Sequence, residues 1–519
     1  MRRLGRAVLL GAGTGAALVC VAPPHELYPL VFVAFIPLLR VSDARCGAAA
    51  AGLAGWVAGV TLYLGVFRWL PHAIAALQGV NAAAAWTLFA VFTALHAVQF
   101  ALAAAVAAKL VACAPPCRGA LATAAVWVLL EWSFPKVFPW SIGAALGPEP
   151  LLRQTAALGG VYGLALLVVL VNALLATATQ FELPPAQRLL ASGVALGVLA
   201  LALLFGAWRQ GALARARQGM VVRVAVVQGG VPPAAGGLRF DGTEGLATYA
   251  ALTRAAAAAA DLIVWPESAL RVYLRDDDEA HAQLVALVEG TQRPLLLGAL
   301  DRDAVAAGEL NAAYRYLPSA TEKAAAVYHK AALLPFGEYL PGAAWWPALR
   351  RFWRTTGDFV PGGAPAPLTM RLGAARLSMA PSICFEAILP GAFNDLVRGG
   401  AGLLVNLTDD GWFASQAAAA QHLELTRLRA VESGRWLARA SNSGISAFID
   451  PSGRVVRTLP FGAVGTLCQP IDLREAQTPY VRYGNWVLPL CGGLAALPLV
   501  DIVRLRRDRR AAAPPDHRR

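Results

Sequence analysis

The stretch DLIVWPES, residues 261–268, is a short apolar run that ends in Trp265, Pro266 and the carboxylate Glu267. Four to six apolar residues bounded by a proline read as a strand buried on both faces. Similar runs lie on either side: VVRVAVVQ (221–228), RPLLLGAL (293–300), RLSMAPSICF (376–385) and GLLVNLT (402–408). Alanine-rich helical stretches separate them, notably Leu246 to Ala260 and Ala417 to Gly434, and ISAFIDPSGRVV (445–456) reads as strand, turn, strand. Strands alternating with helices predict one α/β sandwich from about Trp208 to Asn485.

Outside that segment the chain changes character. Hydrophobic residues make up 57% of the 519, charged ones 15%, and the mean hydropathy is +0.52, above what a water-soluble protein carries. About eight apolar stretches suggest membrane spans: Ala7 to Ala22, Leu27 to Leu39, Gly47 to Phe67, Ala83 to Ala107, Ala120 to Leu130, Ala156 to Ala178, Leu189 to Ala207 and Trp486 to Val503. The second and fifth fall short of the ~20 residues that a straight spanning helix needs.

Charge orients them. With the N-terminus inside, inner segments hold Arg2, Arg3, Arg6, Arg40, Arg45, Lys109, Arg118, Arg188 and seven arginines from Arg504 to Arg519; outer loops hold Arg68, Lys136 and Arg153. Basic residues favour the cytoplasmic side, so both ends are expected there and the α/β insert outside, facing the periplasm. Residues 1–22 also have the basic start and apolar run of a signal peptide, but the later spans favour an uncleaved helix. The net charge of +13 sits at membrane flanks, which argues against a nucleic-acid partner.

Seven cysteines is an odd number. Cys20, Cys46, Cys113, Cys117 and Cys491 fall in or beside apolar stretches and read as packing residues, and no metal site is expected, since nothing follows Cys113 and Cys117 at zinc-ligand spacing. Cys384 differs, because it ends a strand. Glu267 also ends one, and Lys330 sits in VYHKAALLPFGEYLPG (327–342). Open α/β sheets carry their sites at strand ends. A nucleophilic thiol needs a base to take its proton and a positive donor to hold the oxyanion that forms, roles that a glutamate and a lysine fill. Each residue alone has an ordinary explanation: Glu267 as a helix-start carboxylate, Lys330 as a surface lysine, Cys384 as a small buried hydrophobe.

WPES (265–268), HKAALLPFGEY (329–339) and CFE (384–386), in this order and between apolar segments, resemble the apolipoprotein N-acyltransferase family, the membrane-embedded members of the nitrilase, or carbon-nitrogen hydrolase, superfamily. The resemblance covers almost the whole chain. It implies a nitrilase-like αββα sandwich inserted between transmembrane helices: residues 1–207 a seven-helix region, 208–484 the periplasmic catalytic domain, 485–503 an eighth helix and 504–519 a basic cytoplasmic tail. It further implies Glu267 as general base, Lys330 as oxyanion-stabilising group, Cys384 as acyl-accepting nucleophile, and Glu338 and Glu386 as supporting carboxylates. Phe385 stands where the family often has tyrosine, and Phe240 near a frequent tryptophan. The implied activity moves an acyl chain from a phospholipid through a cysteine thioester to a diacylglyceryl apolipoprotein, in a bacterial inner membrane, by a monomer, with no cofactor.

Asn311, Asn406 and Trp412 are further candidates for lining the substrate site, although structural roles suit them as well, and His422 in QHLELTRLRA reads as an ordinary surface histidine on a helix. The stretch GAAWWPALRRFWR (342–354) alternates Trp345, Trp346, Phe352 and Trp353 with arginines, a composition suited to an arm that meets phospholipid headgroups. Two other functions share these features. One is a membrane-tethered amidase in which water resolves the thioester. The other is a transporter or receptor with a degenerate periplasmic domain, against which the intact Glu-Lys-Cys pattern counts.

Overall fold

A computed structural model of the chain describes all residues except 1, 42–46, 217–218, 232–244, 303–307, 320–324, 352, 354–355, 374 and 512–519. Phe240, Phe352 and Arg354 therefore lie outside the described residues.

Among the described residues, twelve strands form two six-stranded sheets. In chain order they are β1 (Val221–Gln228), β2 (Leu262–Val264), β3 (Leu295–Arg302), β4 (Glu309–Tyr316), β5 (Ala325–His329), β6 (Leu368–Leu372), β7 (Ala375–Ile383), β8 (Leu403–Thr408), β9 (Trp436–Ser441), β10 (Ser446–Ile449), β11 (Val455–Leu459) and β12 (Gly465–Asp472). One sheet has the order β12-β1-β2-β3-β4-β5 and the other β11-β10-β9-β8-β7-β6. β1, β2 and β3 are parallel, as are β7, β8 and β9, and the outer strands join antiparallel.

The two-residue period of a strand explains the layering. In β1, Val222, Val224 and Val226 meet Leu403, Val405 and Leu407 of β8 between the sheets, while Ala225 and Val227 face outward onto Tyr249 and Leu284 of the helices Leu246–Ala256 and Asp278–Thr291. On the far side, Leu404 and Leu437 meet Leu396 and Leu423 of the helices Asn394–Arg398 and Gln416–Ser433. Helix, sheet, sheet, helix is the order of layers expected from the sequence. Because the central strands are buried on both faces, they read as apolar runs rather than alternations.

Among the described residues, five helices are long and apolar enough to cross a membrane: Arg3–Val21, Gly47–Val66, Ala82–Ala112, Leu152–Ala178 and Pro185–Arg215. The other three expected spans fall on weaker elements. Residues 27–39 overlap a 3-10 turn, Tyr28–Phe32, and a short helix, Ile36–Val41; residues 120–130 lie in Pro116–Ser133; and 487–503 lie in Val487–Ala511, which contains Pro498. Small residues let these helices approach closely: a Cβ at Gly55 would stand 2.3 Å from the Phe100 carbonyl oxygen.

Helix Gln416–Ser433 joins the two parts. It starts at Ser415, whose Oγ accepts from the Ala418 N–H at 3.3 Å, and stops at Gly434, which takes the left-handed φ of +66° that a helix end favours. Ala418, Leu428 and Val431 pack into the core of the apolar helices, while Leu423 and Ala430 pack on the second sheet. Trp69 Nε1 donates to Gln421 Oε1 at 3.0 Å, and Gln421 Nε2 donates to the Val66 carbonyl at 2.8 Å.

Candidate active site

Glu267 leaves the end of β2 and turns into the site. The turn lies against β3, where a Cβ at Gly298 would come within 2.6 Å of Glu267 Cα and of the Pro266 carbonyl oxygen, so only glycine allows this approach. The carboxylate is fully engaged: Asn311 Nδ2 donates to Oε1 at 2.7 Å and the Asp409 N–H donates to Oε2 at 3.0 Å.

Lys330 follows β5, fixed by its backbone N–H donating to the Asn311 carbonyl at 2.8 Å. Its Nζ lies 2.8 Å from Glu338 Oε1 and 3.5 Å from Glu267 Oε1, at 1% side-chain exposure. Glu338 is held in turn by the Leu334 N–H, donating to Oε2 at 2.7 Å. A buried ammonium must have counter-charges, and here two carboxylates share it.

Cys384 directly follows β7 at a φ of +51°, a left-handed backbone that a non-glycine residue adopts at a cost of about 1–3 kcal/mol and that concentrates at functional sites. Glu386 braces the turn. Its Oε2 accepts from the Ile383 N–H at 2.7 Å and from the Tyr328 hydroxyl at 2.7 Å, and its Oε1 from the N–H groups of Ala331 and Ala332 at 2.7 and 3.0 Å. One carboxylate thus ties the cysteine turn to the segment that carries the lysine.

The electrostatics fit a thiol activated on demand. Burial, with Glu267 beside it, pushes the Cys384 thiol well above its ordinary pKa against the pull of Lys330, so at rest the sulfur is neutral. Burial also raises Glu267, opposed by Lys330. For Lys330 burial disfavours the charge, but Glu338 and Glu267 outweigh it and hold the ammonium above its usual pKa. Asp409 is pushed up to about 7 by burial, with Asn442 pulling the other way. A carboxylate next to a neutral thiol and a fixed ammonium can take the proton as the sulfur attacks, while the ammonium meets the developing oxyanion.

Two pockets meet at Cys384. One of about 60 Å³ holds the charged groups Glu267, Lys330 and Glu338, with Asn311, Trp412 and the cysteine also in its lining. An apolar one of about 70 Å³ runs from Cys384, Phe385 and Ile388 to Val21, Phe67 and Trp140 of the membrane helices and their loops. Trp412 and Phe385 line these pockets, and Asn311 reaches the site through the two glutamates. Asn406 does not: it is fully buried behind the site, its Oδ1 accepting from Arg439 at 2.6 Å and its Nδ2 donating to Ser382 Oγ at 3.2 Å. Trp345 and Trp346 are 92% and 61% exposed, away from the cysteine pockets. His422 is buried rather than a surface residue. Asp409 and Asp410 are missing from the sequence expectation, although TDDGW directly after the apolar run 402–408 puts two carboxylates at a strand end.

A thiol, a carboxylate and an ammonium gathered at strand ends of an αββα sandwich define a carbon-nitrogen hydrolase, and the carbon-nitrogen hydrolase family model matches residues 223–479. A second family model, the apolipoprotein N-acyltransferase N-terminal domain, matches residues 14–174. The apolipoprotein N-acyltransferase of Azotobacter vinelandii is 33% identical, covering 98% of this chain and 96% of its own. That of Gloeobacter violaceus is 32% identical over 96% of this chain and 94% of its own. The chain belongs to the apolipoprotein N-acyltransferase family. Among solved structures, an amidase of the nitrilase superfamily from Nesterenkonia AN1 aligns with 53% of this chain and 98% of its own, at 20% identity and a TM-score of 0.38.

Proposed function

We propose that the protein N-acylates lipoproteins in a bacterial inner membrane by a two-stage transfer through Cys384. Residues 1–207 form the membrane region, 208–484 a periplasmic catalytic domain, 485–503 the last of eight spans and 504–519 a cytoplasmic tail. In the first stage Glu267 takes the thiol proton, the sulfur attacks an ester carbonyl of a phospholipid, a C–S bond forms, and the C–O bond breaks as the lyso-phospholipid leaves with that proton. Lys330 stabilises the oxyanion. In the second stage the α-amino group of a diacylglyceryl-cysteine attacks the thioester, a C–N bond replaces C–S, and the sulfur regains a proton. Glu338 and Glu386 hold Lys330 and the cysteine turn in place.

The observation that carries this reading is the position of Cys384 between a charged pocket and an apolar one walled by membrane helices. Such a wall suits an acyl chain arriving from the bilayer better than a small soluble amide. The test is incubation of the protein in vesicles with acyl-labelled phospholipid. Wild type is expected to become labelled and to pass the label to a diacylated lipopeptide, and Cys384→Ala to take up none. Label released only to water points to an amidase, and no label on wild type removes both enzyme readings.

Trp345 and Trp346 project from the protein near the turn Pro347–Arg351, whose Arg350 pairs with Asp358. Exposed indoles beside arginines suit an arm resting on headgroups. Replacing both by alanine is expected to slow turnover of long-chain phospholipid in vesicles roughly tenfold, as two interfacial rings are lost, with a short-chain soluble donor unaffected. Unchanged vesicle turnover would remove the arm from the mechanism.

A further inference from the structure

Behind the Glu267, Lys330 and Cys384 cluster lies a second buried charged group with no part in the chemistry above. Asp410, just after β8, and Arg439 of β9 are both fully buried, and His422 of the helix Gln416–Ser433 is 8% exposed. Arg439 Nη2 donates to both Asp410 oxygens, at 2.7 and 3.0 Å. His422 Nδ1 lies 2.7 Å from Asp410 Oδ1, and its Nε2 lies 3.2 Å from the main-chain carbonyl oxygen of Cys384.

The partners decide the hydrogens. Burial disfavours the Asp410 charge, but Arg439 and His422 outweigh it and hold the carboxyl well below the usual range, so it only accepts. A peptide carbonyl also only accepts. Burial and the nearby Arg439 pull the His422 pKa down, against Asp410 and the Cys384 carbonyl; but an acceptor faces each ring nitrogen, at 2.7 and 3.2 Å, and a lone pair aimed at either would repel it, so this geometry calls for an N–H at both ends.

That bond falls on the strained residue. The turn at Cys384 needs restraint on both sides of the cysteine. On the N-terminal side Glu386 accepts from the Ile383 N–H at 2.7 Å; on the C-terminal side the carbonyl has His422. The histidine is itself anchored by Asp410, Arg439 and, through Thr426 Oγ1 donating to the His422 carbonyl at 2.8 Å, by its own helix.

We propose that His422 is a positioning residue for the nucleophile: set by Asp410 and Arg439, its Nε2–H grips the carbonyl of Cys384 and keeps the left-handed turn that aims the thiol at Glu267. This rests on Cys384 being the acyl acceptor. His422 touches no reacting atom, and its loss acts through the geometry of the attack, where small misplacements cost about 10²-fold.

The experiment compares His422→Gln with His422→Asn in the full-length protein. A glutamine amide reaches the Nε2 position and the Cys384 carbonyl; an asparagine amide reaches only the Nδ1 position and Asp410. Single-turnover acylation by labelled phospholipid, steady-state kcat and KM, and thermal unfolding are measured for both. His422→Asn is expected to lose about 10²-fold in acylation rate and kcat with KM for the donor little changed, and His422→Gln to recover to within about tenfold of wild type. The two should unfold at similar temperatures. Equal rates in the two variants, wild-type rates in His422→Asn, or losses that simply follow melting temperature would overturn the proposal. Absence of label on wild type would instead strike the function reading on which it stands.

Discussion

Glu267→Gln is expected to slow acylation of Cys384 by about 10²- to 10⁴-fold, the range for removing a base that must activate a nucleophile. The carboxylate has no substitute, because Glu338 is engaged by Lys330 and the Leu334 N–H and Glu386 is filled by four donors. Glutamine also fits badly. Glu267 accepts from Asn311 at one oxygen and from the Asp409 N–H at the other, so an amide must point its own N–H groups at one of these donors. An unpaired buried donor costs about 1–3 kcal/mol, and a drop in melting temperature should accompany the loss of rate. The pH profile separates the two effects. Burial raises the Glu267 pKa, so the wild-type rate should fall as pH drops through a carboxyl pKa above the ordinary value, and the residual rate of the variant should lack that limb. A variant that keeps wild-type acylation would show that the proton goes elsewhere.

Lys330→Met should damage both stability and activity. The ammonium, at 1% exposure, is shared by Glu267 and Glu338, so its removal leaves two buried carboxylates facing each other, a change of about 3–5 kcal/mol. The sign with pH follows from the shift. Lys330 is held above its unfolded pKa, so its contribution is fully present at and below neutral pH and is lost only as pH rises through the folded value. The orphaned carboxylates of the variant can instead be relieved by protons. The gap in melting temperature between variant and wild type should therefore be wide at pH 8 and narrower near pH 5. Acylation should fall about 10²- to 10³-fold as oxyanion stabilisation is lost. A melting temperature equal to that of wild type at pH 8 would mean the carboxylates are not paired as described.

The parts of the site legible in the sequence are those that sit at the ends of apolar strands. VVRVAVVQ predicts the bounds of β1, Val221–Gln228, and GLLVNLT predicts β8 with one residue to spare, because strands buried on both faces are mostly apolar. Glu267, Lys330 and Cys384 are visible as reactive groups interrupting such runs. β4 escapes notice: ELNAAYRY mixes polar and small residues, and its pairing with Ala325–His329 is set by tertiary contacts. The Asp410, His422 and Arg439 cluster is illegible for a related reason. Its members come from a turn, a helix and a strand, and no local period marks them. His422 looks exposed because its helix carries Gln421, Glu424 and Arg427, yet that helix packs on both sides. The membrane count is ambiguous where Tyr28–Val41 and Val487–Asp501 are shorter than a bilayer is thick.

The helix Gln416–Ser433 has one more consequence. The same short rod places His422 at the cysteine turn and packs Ala418, Leu428 and Val431 into the core of the apolar helices, so sandwich and bundle share one wall. A fragment cut free of the bilayer would carry a greasy stripe with no neighbour and half of the greasy cleft beside its sulfur.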